Sequence, residues 1–137
     1  MESRPTQRLE TLNNHIQNNT TFNQSKVAPK ADDDIVIVAF ARTAMTKAKK
    51  GSQRDTPPES MLAPVLKAII KNSGIDPKLI EDVCIGNVVQ PGAGAHISRM
   101  AMFLAGIPDT ASLSAVNRQC SSGLQAVMNI ANSIRAG

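Results

Sequence analysis

The chain contains no tryptophan, no tyrosine and only 3 phenylalanines among its 137 residues. That leaves almost no aromatic surface for stacking nucleobases. Its two cysteines, Cys84 and Cys120, cannot supply a disulfide framework. With only two histidines besides, all widely spaced, no metal-ligand pattern is present. The longest uninterrupted apolar run, Ile35 to Ala41, is far too short to span a bilayer. No apolar h-region lies in the first 30 residues, so a secretory signal is not expected and reduced intracellular cysteines are. The net charge of +4 comes without any block of five like charges, so no nucleic-acid arm is expected.

What is present divides into two regions. Residues 1–30 are rich in Asn, Gln and Thr and poor in apolar side chains. Such a stretch cannot bury enough surface to offset its ordering entropy and reads as a flexible leader. Within it Arg8, Leu9, Leu12, His15 and Ile16 fall on one face of a helix. An isolated helix that short is marginal in water and would form only in a receptor groove; chance spacing in a disordered tail is the competing reading.

Residues 31–137 read as a globular α/β region. The β-branched run Ile35–Ala41 predicts a strand buried on both faces. The loop Arg42–Asp55 carries Lys47, Lys49, Lys50 and Arg54 and reads as solvated surface rather than an anion site. Thr56-Pro57-Pro58-Glu59 is a helix start with Thr56 as the cap. Met61, Leu62, Val65, Leu66, Ile69 and Ile70 then repeat at helical spacing up to a stop at Gly74, with Pro64 inside. Val83–Val89 predicts a second strand, Ala95–Leu104 a helix, Leu113–Asn117 a third strand and Cys120–Ala136 a last helix. This alternation predicts a layered α/β architecture. The turn Pro91–Ala95 is Gly-rich but lacks the dinucleotide-binding spacing.

Cys120 lies between the third strand and the last helix, flanked by Gln119, Ser121, Ser122 and Gly123. A thiol at a helix N-terminus meets unpaired N–H groups and the positive end of the helix dipole, which favour the nucleophilic thiolate. The same N–H groups can hold an oxyanion. A buried structural cysteine is the alternative, and physics alone leaves the two open. Cys84, inside an apolar strand, reads as a small core residue. His96 could serve as a base for Cys120, although a surface histidine is the commoner outcome. On the last helix Leu124, Val127, Met128, Ala131 and Ile134 mark an apolar face.

Asn117-Arg118-Gln119-Cys120-Ser121-Ser122-Gly123-Leu124-Gln125-Ala126-Val127 closely resembles the acyl-accepting cysteine signature of the thiolases. The segments Gly86–Ala95 and Asp34–Ala44 resemble the peroxisomal 3-ketoacyl-CoA thiolases in particular, and the resemblance runs through residues 31–137. In its light Arg8, Leu9, His15 and Ile16 look like a type-2 peroxisomal targeting signal.

The resemblance implies the N-terminal part of a thiolase-like α-β-α-β-α layered fold. It implies an acyltransferase that cleaves 3-ketoacyl-CoA with coenzyme A, the last step of a β-oxidation cycle, through a thioester on Cys120 whose backbone N–H joins an oxyanion hole. Coenzyme A is then a co-substrate, with no bound cofactor and no metal. The implied partners are the acyl-CoA substrate, a second copy in a homodimer and the targeting-signal receptor, with no nucleic acid and no membrane. The implied location is the peroxisomal matrix. The family's acid–base histidines and second cysteine lie in its C-terminal half, and neither Cys84 nor His96 matches their motifs. The expectation is therefore an N-terminal fragment, with an incomplete domain over 31–137 that ends after the nucleophile helix. Two alternatives stand beside it: a truncated non-catalytic product keeping targeting or dimerisation features, and a biosynthetic acetoacetyl-CoA thiolase.

Overall fold

The computed structural model describes residues 30–137, in two units divided after Asp34. In the first, the Asp34 carboxylate accepts from Ala31 N–H at 3.0 Å and Asp34 N–H donates to the Ala31 carbonyl, closing a turn. All else concerns the second unit, residues 35–137.

Its elements are helix α1 (Pro58–Ser73), strand β1 (Asp82–Gly86), helix α2 (Ala95–Leu104), strand β2 (Ser112–Val116) and helix α3 (Ser122–Ala136). β1 and β2 pair in parallel, from Asp82↔Ser112 to Gly86↔Val116. Parallel neighbours need a crossover, and α2 supplies it.

Side chains alternate across a strand, and along Val83–Gly86 of β1 the alternation sorts them by size. Val83, Ile85 and Leu113 belong to the core cluster with Met102, Ile107 and Ala111, joined by Leu66 and Ile70 of α1. The register positions between them carry Cys84, Gly86 and Ser114. Cys84 and Gly86 meet α3, through Asn129 and Ser122 respectively. On β1 the large face therefore packs on the core with α1 and α2, and the small face takes α3. Met102 is completely buried, a placement worth about 2–3 kcal/mol.

Local chemistry ends each helix. Gly74 is left-handed and its N–H caps the Ile70 carbonyl of α1. After α2, Gly106 at φ 87° donates to the Phe103 carbonyl and Ile107 N–H reaches back to Met102. Ile107 and Met102 then pack side by side in the core. Arg99 ties α2 to the segment before β2. Its guanidinium donates to the Asp109 carbonyl at 2.8 Å and to that of Ala111, and lies 4.6 Å from the centre of the Phe103 ring.

Four expectations need correction. Ile35–Ala41 forms no strand: its apolar composition favours leaving water but does not provide a ladder partner, and Phe40 is 87% exposed. Ile35, Val36 and Ile37 instead line an apolar groove of about 700 Å³ with Ile69, Ile85 and Ala126. The cap of α1 is Pro57, not Thr56, and it makes no side-chain bond. Strand β1 stops at Gly86, three residues early, because the chain turns back after Asn87 N–H bonds the Val116 carbonyl. Helix α3 begins at Ser122, not Cys120, and its buried residues are Ser122 and Ala126. Leu124 and Ile134 are 65% and 60% exposed, so much of its apolar stripe stays open. Pro64 stays within α1 on an exposed position, as does Ser60, so water can reach the Ser60 carbonyl that Pro64 cannot bond.

Candidate active site: the turn that carries Cys120

Because β1 and β2 are parallel, the segments that follow them leave from the same end of the sheet. They are stitched together there. Asn117 directly follows β2, and its amide donates to the Val88 carbonyl at 3.2 Å. Asn87 folds its own loop by accepting from Val89 N–H at 3.2 Å. Gly94 lies against Asn87: at φ 67° it has a backbone that favours glycine, and a Cβ there would come within 2.6 Å of the Asn87 amide nitrogen.

The chain from Asn117 to Ser122 then makes one tight reversal. The Asn117 side-chain oxygen accepts from Gln119 N–H at 3.0 Å. Ser121 N–H donates to the Arg118 carbonyl and Ser122 N–H to that of Gln119, both at 3.1 Å. The Ser122 hydroxyl, in a residue 4% exposed, donates to the Gln119 carbonyl at 2.6 Å and accepts from Arg118 N–H at 2.9 Å. Gln119 is held left-handed at φ 50°, a conformation that side chains with a Cβ rarely adopt. The Arg118 guanidinium pairs with the Gln125 side-chain oxygen on the first turn of α3.

Cys120 sits at the outside of this reversal as an exposed free thiol. Among the described residues, the N–H groups of Cys120, Gly123 and Leu124 have no acceptor. Those of Gly123 and Leu124 are orphan donors of the kind every helix start leaves, and Cys120 stands two residues before the helix. An accessible sulfur thus stands beside unpaired N–H groups at the positive end of a 15-residue helix.

The other sequence candidates lie elsewhere. Cys84 is half-buried in β1, its sulfur 3.9 Å from the Asn129 amide nitrogen. His96 is exposed at the start of α2 and lines a cavity with Arg99 and residues 109–113, at the N-terminal end of β2. Among the described residues no hydrogen bond links His96 to Cys120. Lys47, Lys49, Lys50 and Arg54 are exposed in a loop of turns, where Arg54 pairs with its neighbour Asp55 at 2.7 Å. Arg8, Leu9, His15 and Ile16 lie outside the described residues. Among the described residues no three His, Cys, Asp or Glu side chains converge on a metal-sized site, and no helix is long and apolar enough to cross a membrane.

Sequence reasoning missed two parts of the site. One is the Ser122 hydroxyl, which it treated only as a small flank. The other is Gly86, whose close approach to α3 was signalled by a lone glycine inside a strand pattern.

Residues 35–137 match the family described as thiolase, N-terminal domain. The peroxisomal 3-ketoacyl-CoA thiolase of Yarrowia lipolytica is 48% identical over 130 residues, covering 95% of this chain and 31% of that protein. The human peroxisomal 3-ketoacyl-CoA thiolase is 50% identical over 111 residues, covering 80% of this chain and 26% of that one. The peroxisomal 3-ketoacyl-CoA thiolase of Saccharomyces cerevisiae is a five-layered α-β-α-β-α structure built from two core domains of identical topology. It superposes with a TM-score of 0.76 at 42% identity, over 81% of this chain and 34% of its own. The structure of the dimeric peroxisomal thiolase of the same yeast gives a TM-score of 0.74, over 80% of this chain and 29% of that one. The chain thus spans about a quarter to a third of the length of the curated relatives it matches.

Proposed function

The chain belongs to the thiolase family, through that family's N-terminal domain and its layered α/β fold, and from this premise we propose that it supplies the acyl-accepting part of a 3-ketoacyl-CoA thiolase active in β-oxidation. The single observation that carries the reading is Cys120, an exposed thiol held outside a rigid turn beside unpaired helix-start N–H groups.

In the proposed reaction the Cys120 thiolate attacks the C3 carbonyl of a 3-ketoacyl-CoA, and a C–S bond forms. The carbonyl oxygen becomes an oxyanion, for which the Cys120 N–H is a donor. Its collapse breaks the C2–C3 bond. The electron pair leaves on C2 as the acetyl-CoA enolate, and a proton on C2 completes acetyl-CoA. The shortened acyl group remains on the Cys120 sulfur as a thioester. Coenzyme A, a co-substrate, gives up its thiol proton and attacks that thioester, which releases the shortened acyl-CoA and restores the thiolate. The proton transfers are assigned to family residues beyond those in this chain, a contribution of about 10²–10⁴-fold.

The dimeric state of the yeast structure and the peroxisomal location of the named relatives support a homodimer in the peroxisomal matrix. The leader pattern Arg8, Leu9, His15 and Ile16 supports delivery by the type-2 targeting-signal receptor.

The test is acid quenching of the natural-length protein with a 3-ketoacyl-CoA in the absence of free coenzyme A. Peptide mass mapping should find the acyl thioester on Cys120, and Cys120→Ser should abolish it. Acylation at Cys84, or none, overturns the assignment.

A further inference from the structure

The turn around Cys120 contains a strained residue and a buried hydroxyl that holds it. We propose that Ser122 is a positioning residue for Cys120: its hydroxyl locks Gln119 in the left-handed conformation and so fixes where the thiol stands. The inference rests on the reading of Cys120 as the acyl acceptor.

Three observations meet at this side chain. First, the Ser122 hydroxyl brackets the Arg118-Gln119 pair just before the cysteine, accepting from Arg118 N–H and donating to the Gln119 carbonyl. Its oxygen therefore closes a ring around the one residue whose backbone is unfavourable. Second, Gln119 has φ 50° and is not glycine. Backbone in that region persists only where its surroundings over-determine it. The second tether on Gln119 is the Asn117 oxygen at its N–H, from an exposed side chain. Third, Ser122 itself cannot drift. It is 4% exposed, and a Cβ on Gly86 would come within 2.4 Å of its carbonyl carbon and oxygen. The hydroxyl is thus anchored to the sheet while it grips the turn. Arg118 N–H has no other acceptor among the described residues, so losing the hydroxyl frees that peptide and removes one of two donors at the Gln119 carbonyl.

Acyl transfer is the step sensitive to this placement, because the sulfur must meet a carbonyl whose oxygen lies at the N–H donors. A turn that samples other conformations keeps its thiol but loses that alignment.

The experiment compares native protein, Ser122→Ala, Gln119→Gly, and the double variant, all at natural length. The readout is the single-turnover rate of thioester formation on Cys120 with 3-ketooctanoyl-CoA. Iodoacetamide labelling of half-buried Cys84 in the same samples reports on the fold. Ser122→Ala should slow acylation about tenfold with Cys84 labelling unchanged. Adding Gln119→Gly should bring the rate back to within about threefold of native, because glycine holds φ 50° without help. A merely structural hydroxyl predicts no such rescue.

Unchanged acylation in Ser122→Ala overturns the inference, as does a loss that Gln119→Gly fails to repair. A native protein that forms no thioester on Cys120 overturns the parent reading as well, which separates the two failures. Should Ser122→Ala expose Cys84, Gln119→Val decides. A β-branched residue resists the left-handed region, so it must slow acylation with Cys84 still protected, and a native rate there overturns the inference.

Discussion

Gly86 and Ser122 touch backbone to backbone: a methyl group on Gly86 would fall 2.4 Å from the Ser122 carbonyl. The last residue of β1 is thereby the seat of the first residue of α3. Gly86→Ala should push the head of that helix off the sheet. The expected cost is about 3 kcal/mol, the upper part of the range for overpacking a site that cannot relax. Urea unfolding measures it, and a loss below about 0.5 kcal/mol, ordinary for a tolerated change, would show that the helix can yield.

Gly106 is a contrasting glycine. Nothing lies within 4 Å of where its Cβ would stand, yet its φ is 87°. Gly106→Ala should cost about 1–2 kcal/mol from backbone conformation alone. The loss should appear in thermal unfolding and leave the reactivity of Cys120 unchanged.

Arg99→Met keeps the aliphatic stem but removes the donors to the Asp109 and Ala111 carbonyls and the cation over Phe103. Two charge-assisted bonds and a ring contact go together, for an expected loss of about 2–3 kcal/mol. Hydrogen exchange should show the segment 108–112 opening before α1 does.

The leader has its own test. Residues 1–30 fused to a fluorescent reporter should carry it into peroxisomes, and Arg8→Ala or His15→Ala should leave it in the cytosol. A cytosolic reporter with the intact leader refutes the targeting assignment.

Much of the architecture was legible in the sequence for local reasons. The 3.6-residue repeat of α1, its Gly74 stop and the span of α2 are properties of short windows, and the structure places them there. Both strands appeared within a few residues of their positions. The failures have a common cause. Ile35–Ala41 has strand composition, but pairing is a relation with another segment, which composition does not contain. The apolar stripe of α3 is legible from helical spacing, but which helix residues meet the sheet is not. The contacts of the fold show it: Cys84 and Gly86, on one face of β1, meet Asn129 and Ser122 of α3. The thiolase signature located Cys120, whereas the conformation of Gln119 and the double role of the Ser122 hydroxyl are three-dimensional facts with no pattern of their own.

The pairing of Gly86 with Val116 sets the frame in which the thiol is read. Between those partners runs the whole crossover, with its loops and α2. Beyond the loop 87–94, whose Val88 carbonyl holds Asn117, that crossover can change length or composition without moving Cys120, provided the two strand ends stay opposite each other. A slip by one residue moves the turn by about 3.3 Å and exchanges the two faces of β2. Variation in the crossover is therefore of two kinds. Changes absorbed in the loop after α2 are silent at the cysteine, and changes transmitted to the ladder or to the Val88 carbonyl are felt there at once.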